Sequence, residues 1–466
     1  MFYFKPLALS TGFIEQINAS LLKTGSKKLS FAQCTWLSIC ITGVIITNSV
    51  CWKRFERAGF GKFSANTISK MFKRGKICWE NLLRASVLNV FEKYDITEGV
   101  LALDGTDKKR SKNTTKISNV HKIKDKSSGG FIQGQELTIL ILITEKITIP
   151  VGFEFYQPDP EYIKWKKNDR LLRKKKCSKT NRPKPPKHNQ KYPRPIEVGI
   201  NLLKIFEKNH PQIKIKAILA DALYGANTFV SRASIMFGGT QVISQVRKNQ
   251  KIRAGTKLIS VEQYFIRNSG VSKHLKIRGG KEQIVSMHGA RLYLKAHGCK
   301  RFIIALKYEG ETEYRYLLAS EMTWRLTDIA AAYTLRWLVE VIIQDWKGYE
   351  GWCQLAKQPG VDGSCRGVIL SLLVDHCLLL HPDQMALINS KLPASTVGSL
   401  RDRARANAVV ETIECLMSDK NMSHLIEELR ACINEAIPLR RSSKHMNGRD
   451  LGRLEPTASL KYRKVA

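Results

Sequence analysis

The sequence predicts an α/β protein in which a mixed β-sheet carries helices on both faces. Three short apolar runs, at 100–103, 137–144 and 149–155, are typical of strands that are buried on both sides. A strand-rich stretch with alternating polar and apolar residues, 242–322, predicts an antiparallel β region inserted into that core. Segments with helical periodicity on either side of these strands predict an N-terminal helical domain and a helical C-terminal region.

Residues 1–95 are predicted to form the N-terminal domain, which is basic. Residues 31–52 contain no charged side chain, but polar residues interrupt them, and Ser30 with Gln33 has the form of a capping box. We therefore expect a buried helix there and no membrane span. A glycine-containing break precedes a second basic helix at 64–74. This arrangement is compatible with a helix-turn-helix, and equally with a solvated surface helix of an all-α domain.

Residues 96–241 are predicted to form the first part of the core. One strand ends at Asp104 and another ends at Asp221. The elements that follow the first three strands are a helix at 196–208, a strand at 215–220, a helix at 228–236 and a strand at 241–246.

A basic, proline-rich loop at 157–195 is predicted to interrupt this part of the core. Residues 164–194 contain 14 Lys or Arg residues and a single acid, Asp169. Such a composition is typical of a flexible or extended segment that cannot pack a core of its own. We interpret it as a nucleic-acid contact, with a solubilising insert as the alternative.

After the β region, residues 323–364 are predicted to complete the core with a long helix that Thr327 caps and that runs to about residue 347. Residues 365–466 are predicted to form the helical C-terminal region. Its last part, 438–466, is a basic tail with eight Lys or Arg residues against two acids.

Composition and charge limit the possible partners. The 466 residues are 43% hydrophobic, which excludes a wholly disordered or fibrous protein. Lys and Arg total 77 against 40 Asp and Glu, so the net charge is +37. Because phosphate contacts release counterions, this charge predicts a polyanionic partner, with nucleic acid as the first candidate and an anionic membrane surface as the second.

The eleven cysteines form no C-x-x-C pair and are irregularly spaced. We expect reduced thiols in a cytosolic protein, and the spacing predicts no zinc site. The N-terminus lacks the apolar core and cleavage site of a signal peptide, which also favours the cytoplasm.

Two acids follow predicted strands, Asp104 in LALDGTD and Asp221 in ILADALYG. Ligands and metals collect at the carboxyl ends of strands in open α/β sheets. Two carboxylates from neighbouring strands repel unless a cation lies between them, and their hard oxygens suit Mg²⁺ or Mn²⁺. An Asp that ends a strand is more commonly a turn or cap residue, which is the alternative for each of them.

The predicted helix near 327–347 carries four polar residues on one stripe. Tyr333, Arg336, Glu340 and Lys347 fall within an arc of about 60° at 3.6 residues per turn. On a helix rich in Leu, Val and Ile, the stripe would direct an acid and two bases toward one site. A solvated face with Arg336 and Glu340 as an i,i+4 ion pair is the alternative.

The spacing Y-x2-R-x3-E-x6-K of these residues resembles the signature helix of the IS4-type DDE transposases. The resemblance covers most of the chain: a basic helical N-terminus, an acid after each of two strands, a β insertion, and the helix that bears Glu340. It implies an RNase H-like mixed sheet core, and a helical N-terminal domain that binds DNA.

The resemblance also implies two groups of site residues. The first would be catalytic, would bind two Mg²⁺ (or Mn²⁺) ions, and consists of Asp104, Asp221 and Glu340. The second would contact DNA, and consists of Tyr333, Arg336 and Lys347, to which we add the basic run Lys108, Lys109 and Arg110.

The function implied is that of an insertion-sequence transposase of the bacterial type, acting in the cytoplasm at the nucleoid. It would bind its element's terminal inverted repeats as a homodimer in a synaptic complex, cleave the strands and join them to target DNA. A metal-dependent nuclease on the same core and a non-catalytic, domesticated DNA-binding relative are the alternatives. Some family members use a tryptophan in the β insertion to stack a flipped base while a hairpin forms on the transposon end, but no tryptophan lies at 240–322 here. The resemblance therefore does not decide whether a hairpin intermediate forms.

Overall fold

The computed structural model describes residues 3, 5–59, 61–110, 116–125, 128–267, 270–277, 281–355 and 358–417. Within these ranges the chain is a mixed α/β structure, as the sequence predicts, built on one twelve-stranded sheet. Its strands are β1 (Glu98–Lys109), β2 (His121–Lys124), β3 (Phe131–Ile143), β4 (Thr148–Tyr156), β5 (Lys214–Ala220), β6 (Gln241–Gln245), β7 (Lys251–Ala254), β8 (Lys257–Ser260), β9 (Val271–Ile277), β10 (Lys281–Leu294), β11 (Cys299–Tyr308) and β12 (Arg315–Ala319).

The α-helices of the described ranges precede, interrupt and follow these strands. They are α1 (Ala8–Leu21), α2 (Phe31–Thr47), α3 (Trp52–Ala58), α4 (Ala65–Arg74), α5 (Trp79–Lys93), α6 (Pro160–Lys174), α7 (Pro195–Asn209), α8 (Asn227–Met236), α9 (Val261–Ile266), α10 (Leu326–Thr334), α11 (Trp337–Tyr349), α12 (Gly360–Leu379), α13 (Pro382–Asn389) and α14 (Val397–Met417).

The centre of the sheet combines parallel and antiparallel strands. β5 runs parallel to β1 and to β6, whereas β3 pairs antiparallel with β1. The strand order is β2-β3-β1-β5-β6-β12-β11-β10-β7-β8, with β4 beside β3 and β9 beside β10. Antiparallel pairing of β12 with β6 joins the β-rich stretch to the core. That stretch therefore extends the central sheet and does not form a sheet of its own.

The first five helices pack around α2, the second of them, which is buried over most of its length. Ser30 and Gln33 form the predicted capping box: the Gln33 amide donates to Ser30 Oγ at 3.3 Å, and the Ser30 amide donates to Gln33 Oε1 at 2.8 Å. Leu37 and Ile41 of α2 are fully buried in the core that the helices share with the sheet. Within the described residues no single helix is long and apolar enough to cross a membrane; α12 and α13 meet those criteria only as a pair bent by 54°.

The predicted basic helix at 64–74 is α4, and an aromatic cluster fixes it. The ring of Phe72 lies 5.1 Å from the ring of Trp52 and 5.7 Å from that of Trp79. Trp36 Nε1 donates to the carbonyl oxygen of Ile68 at 3.1 Å. These contacts bury one face of α4 and leave its basic face outward.

The predicted loop at 157–195 is in part wrong, because α6 forms within it. The Asp159 carboxylate accepts from the Glu161 amide at 2.9 Å, and Pro160 occupies the first turn, where its missing N–H is not needed. Lys, Arg and Leu, which make up eight of the fifteen residues of α6, are good helix formers. Net charge argues against a packed core but not against a helix.

The long helix predicted from Thr327 to about residue 347 is wrong in two respects, because Thr327 lies inside the first turn and does not cap it, and because the helix is divided. α10 begins at Leu326 after Arg325, and the break before α11 falls at Leu335 and Arg336. There the amides donate to the third preceding carbonyl, as Arg336 does to Tyr333 at 3.1 Å. The chain stays right-handed and tightens into a short 3₁₀-like turn between the two helices.

The C-terminal helices α12, α13 and α14 pack against the N-terminal helices and the sheet. Residues 418–466, which include the predicted basic tail at 438–466, lie outside the described residues. Each cysteine whose side chain the structure describes is a free thiol.

Candidate functional site

Asp104 and Asp221 lie side by side where the parallel pairing of β1 and β5 ends. The last paired residues of the two strands are Leu103 and Ala220, and each acid is the next residue of the chain. The prediction that β1 ends at Asp104 is wrong, because antiparallel pairing with β3 continues β1 to Lys109. β5 does end before Asp221.

A short turn fixes Asp221 from both sides. Its carboxylate accepts from the Leu223 amide at 2.9 Å, and its carbonyl accepts from Ser244 Oγ of β6 at 2.6 Å. Gly225 closes the turn, and a Cβ there would lie 2.3 Å from the carbonyl oxygen of Gln245. Asp221 is therefore held in one orientation before any ligand binds.

The environment of Asp221 disfavours its charged form. Burial, followed by the negative charge of Asp104, raises the pKa of Asp221 above its ordinary value, and the Leu223 amide opposes this in part. A positive charge between the two carboxylates would relieve both effects.

Arg336 supplies a positive charge at this site in the structure. One guanidinium nitrogen lies 2.6 Å from Asp104 Oδ2 and another lies 3.0 Å from Glu340 Oε1. The Arg336 side chain is 18% exposed, whereas the Glu340 side chain is 40% exposed. The ion pair expected within one helix therefore exists, and it extends across to the strand that carries Asp104.

Tyr333 lies beneath this guanidinium. The Arg336 Cζ atom is 5.9 Å from the centre of the Tyr333 ring, at the limit of a cation–π contact. Burial raises the pKa of Tyr333 to about 12. The phenol is therefore neutral and serves as a support for Arg336.

Two cavities meet at the carboxylates. The larger has a volume of ≈ 780 Å³, and we name it the Lys347 cavity; its lining includes Asp104, Asp221, Gln245, Arg336, Glu340 and Lys347. The smaller has a volume of ≈ 240 Å³, and we name it the Tyr156 cavity; its lining includes Leu137, Thr138, Tyr156, Pro195 and Tyr224. Asp104, Thr106, Asp107 and Asp221 line both cavities.

The basic run after Asp104 is placed less simply than the sequence suggests. Arg110 donates to Gln135 Oε1 and to the carbonyl oxygen of Leu355, each at 2.9 Å, and burial lowers the pKa of Arg110 to about 10. Its guanidinium thus connects β1 to the chain before α12. Lys109 lies 3.1 Å from Asp125 with its side chain 59% exposed, and Lys108 precedes it on β1.

The oxygen atoms at this edge of the sheet fit a divalent cation only in part. Asp104 and Asp221 are neighbouring hard ligands, and the buried Thr106 hydroxyl beside them has no hydrogen-bond partner among the described residues. No group of three His, Cys, Asp or Glu residues in the described ranges lies close enough to hold a metal ion. Arg336 lies between Asp104 and Glu340, so the third carboxylate joins such a site only when Arg336 moves.

Neither a protein-family model nor a curated protein sequence matches the chain. It is similar to a solved piggyBac transposase synaptic complex with hairpin DNA, at 9% identity and a TM-score of 0.43, over 92% of this chain and 85% of that chain. It is also similar to the NurA nuclease from Sulfolobus solfataricus, at 8% identity and a TM-score of 0.25, over 58% of this chain and 81% of that one. It is similar as well to a Drosophila P element transposase strand transfer complex, at 13% identity and a TM-score of 0.22, over 54% of this chain and 53% of that chain. Likeness at these TM-scores assigns neither a fold nor an activity to the chain.

Sequence reasoning missed the residues that hold the turn after Asp221. His297 Nε2 lies 3.0 Å from the carbonyl oxygen of Gly225, and Arg301 Nε donates to His297 Nδ1 at 3.2 Å. These two residues come from the turn between β10 and β11 and from β11 itself. Gly225 directly after Tyr224 was the one local signal, since a glycine at the end of ADALYG predicts a tight turn.

Proposed function

We propose that this chain is a DNA transposase that binds the terminal inverted repeats of an insertion sequence, cleaves the strands there and joins them to target DNA. The observation that carries this proposal is the meeting of Asp104, Asp221 and the Arg336–Glu340 pair at one edge of the sheet. The net charge of +37 supports a nucleic-acid substrate for that site.

An RNase H-like core is part of this proposal. Its support is the strand order β4-β3-β1-β5-β6, in which an antiparallel hairpin flanks three parallel strands. In this scheme residues 96–241 and 323–364 supply the core, 242–322 the insertion, 1–95 the DNA-binding helices and 365–466 the C-terminal region.

Asp104, Asp221 and Glu340 would hold two Mg²⁺ or Mn²⁺ ions in this core. Such ions, when bound, assist attack on a phosphate and stabilise the leaving oxygen. The turn that fixes Asp221 would present its carboxylate with little reorganisation. Water and then the freed DNA 3′-hydroxyl would be the nucleophiles, so no side chain needs to form a covalent intermediate.

Arg336, Lys347 and Tyr333 would position the substrate. The planar fork of Arg336 matches two phosphate oxygens, and Tyr333 beneath it restricts its orientation. Lys347 lines the same cavity as the carboxylates and would hold a second phosphate as a point charge. Lys108 and Lys109 lie further along β1 and would extend this contact.

The helices of 1–95 would recognise sequence, with α4 as the element that enters the major groove. Its outward face carries polar and basic residues, which are Asn66, Thr67, Lys70, Lys73 and Arg74. Two copies of the chain, one at each DNA end, would form the synaptic homodimer. The protein would act in the cytoplasm of a bacterial-type cell.

The experiment supplies purified protein and Mg²⁺ with DNA that carries the inverted repeats flanking the gene. The proposal expects nicking at the repeat ends, followed by joining of those ends to a second duplex. Cleavage without joining would favour the metal-dependent nuclease. Specific binding without cleavage would favour a non-catalytic relative, in which the Arg336 bridge between Asp104 and Glu340 is permanent.

A further inference from the structure

The segment between β4 and α7 has a one-sided charge distribution. Of its 14 Lys and Arg residues at 164–194, all except Arg182 are exposed. The single acid of 164–194, Asp169, is only 6% exposed. The surface of 164–194 is therefore almost purely positive, because the one negative charge of that stretch is buried.

Asp169 ties α6 to the chain that follows it. Its carboxylate lies 2.9 Å from an Arg182 guanidinium nitrogen and 2.8 Å from Arg173 Nε. The Arg182 side chain is 13% exposed, so this ion pair is shielded from water. One turn earlier on the same face of α6, Trp165 Nε1 donates to the carbonyl oxygen of Pro183 at 2.7 Å. We name α6 and the chain that it holds, residues 160–194, the basic module.

These contacts indicate that the shape of the basic module matters as well as its charge. Burial of a carboxylate and a guanidinium is unfavourable unless the pair is well hydrogen-bonded, and a solubilising insert has no need of it. We name the contacts of Asp169 with Arg182 and Arg173, and of Trp165 with Pro183, the Asp169 clamp. The clamp holds the exposed lysines in a fixed arrangement. A surface that is ordered before it binds loses less conformational entropy on binding.

The base of the basic module lies beside the carboxylates. Tyr156 at the end of β4 and Pro195 at the start of α7 flank the module in sequence, and both line the Tyr156 cavity with Asp104 and Asp221. The module therefore starts and ends next to the proposed catalytic edge, so a long polyanion bound to it would lie near the carboxylates.

We propose that the basic module is a pre-organised docking surface for the phosphate backbone of double-stranded DNA, held in shape by the Asp169 clamp. This inference rests on the proposed function for the identity of its polyanion. Recognition of single strands relies on exposed aromatic faces, whereas on α6 the Trp165 ring packs on Tyr162 at 5.4 Å and its indole N–H donates to Pro183, which leaves Tyr162 as the one exposed aromatic side chain of that helix.

The test compares two substitutions that change the net charge equally. Asp169→Asn and Glu161→Gln each remove one negative charge from α6, but only the first breaks the clamp, since Glu161 is exposed. If charge alone determined affinity, both variants would bind DNA slightly more tightly than the wild type. If the clamp matters, Asp169→Asn should bind a random 30-base-pair duplex about tenfold more weakly than the wild type, with a shallower salt dependence. Glu161→Gln should bind the same duplex no more weakly than the wild type.

A third variant, Trp165→Phe, keeps the charge and removes only the hydrogen bond to the Pro183 carbonyl oxygen. It should also weaken DNA binding. This variant keeps the inference testable if Asp169→Asn fails to fold. Binding is measured in EDTA, and limited trypsin digestion should cut 160–194 faster in both clamp variants. Unweakened binding by both clamp variants, or an equal loss for single-stranded DNA or heparin, would overturn the inference. Because the assay requires no cleavage, a protein that docks duplex through the module but never cuts DNA would refute the proposed function alone.

Discussion

At the scale of single residues, Asp221 carries an electrostatic cost that the fold does not remove. Its turn orients the carboxylate toward Asp104, and burial with that neighbouring charge raises its pKa. An acid whose pKa is raised on folding makes the folded state less stable as pH rises above the pKa of the same group in the unfolded chain, which is about 3.9 for Asp. Groups placed for ligands commonly carry such a cost.

Asp221→Asn should therefore raise the melting temperature at pH 7.5 by about 1–3 °C. Asn keeps the hydrogen bond from the Leu223 amide while the charge is lost. The gain should shrink as pH falls through the raised pKa of Asp221 and vanish below the unfolded value. Melting curves from pH 4 to pH 8 measure this, with exposed Glu309→Gln as the control. A gain that is independent of pH would contradict it.

Arg336 should compete with a divalent cation for Asp104 and Glu340. Arg336→Gln should melt lower than the wild type in EDTA, because it leaves two carboxylates without their common partner. It should also gain more from added Mn²⁺, which we expect to bind about tenfold more tightly, or about 1.4 kcal/mol. Lys347→Gln removes the same charge from the same cavity and is the matched control. An equal response of both variants to Mn²⁺ would show that Arg336 does not occupy the cation's position.

Arg336 should also be needed for DNA chemistry. Arg336→Ala should slow cleavage of repeat ends by about 10²-fold, and Arg336→Lys should recover only part, since an ammonium cannot make two parallel bonds to a phosphate. A merely solvated Arg336–Glu340 pair would cost about 0.3–0.5 kcal/mol of stability and nothing in rate. Cleavage rates and melting curves of both variants separate these outcomes, and normal cutting by Arg336→Ala would weaken the signature interpretation.

At the scale of elements, α4 presents a defined face because the aromatic cluster around Phe72 fixes the opposite one. A fixed helix can read base edges in the major groove, whereas the basic module would mainly contact phosphates. This proposed division of roles follows from side-chain type and not from net charge, because the outward face of α4 includes Asn66 and Thr67 whereas the exposed face of the basic module is dominated by lysine and arginine.

Asn66→Ala with Lys70→Ala on α4 should reduce discrimination between repeat ends and random DNA by about tenfold. Lys93→Ala, which removes an exposed charge at the end of α5, is the control and should leave discrimination unchanged. Competition binding with the two DNA types measures the ratio. If the α4 variant loses affinity for both DNA types equally, α4 is only an electrostatic contact.

The elements that the sequence predicts well are those with local causes. The capping box of α2 involves residues three apart, and the apolar runs of β1 and β3 are continuous, so both are legible. α6 was missed because its composition indicates solvation, and the Asp169–Arg182 contact that folds it spans 13 residues. The break between α10 and α11 leaves no mark in the side-chain pattern.

The site was predictable to a similar degree. Asp104 and Asp221 follow strands, and strand ends meet at one edge of a sheet, so their proximity could be inferred. The contact of Arg336 with Asp104 joins residues 232 apart and could not be inferred. The same holds for Ser244 and His297, whose role depends on how β6 and the β10–β11 turn pack on the Asp221 turn.

At the scale of the whole molecule, the N-terminal helices share one hydrophobic core with the C-terminal helices and the sheet. Tyr94 Oη donates to the carbonyl oxygen of Leu379 at 2.5 Å, and Arg401 Nε donates to that of Ile45 at 2.7 Å. The helices that we propose to bind DNA are therefore packed into the body of the protein.

Removal of residues 1–95 should consequently abolish cooperative folding and not release an active core, because α12 would lose the apolar surfaces of α2 and α5 that cover it. Calorimetry of the 96–466 fragment checks this, with the full chain as the reference. A fragment that melts cooperatively near the full chain would show that the two parts are independent domains.

The central claim is that Asp104, Asp221 and Glu340 form one metal-dependent centre for DNA cleavage. The most direct measurement is Mg²⁺-dependent nicking of repeat-end DNA by Asp104→Ala, Asp221→Ala and Glu340→Ala, each with its binding to the same DNA. We predict that all three abolish nicking while binding stays within about twofold of the wild type, because many Lys and Arg contacts supply the affinity. Nicking that survives in any one of the three variants would contradict the claim for that residue, and nicking in all three would place the chemistry elsewhere.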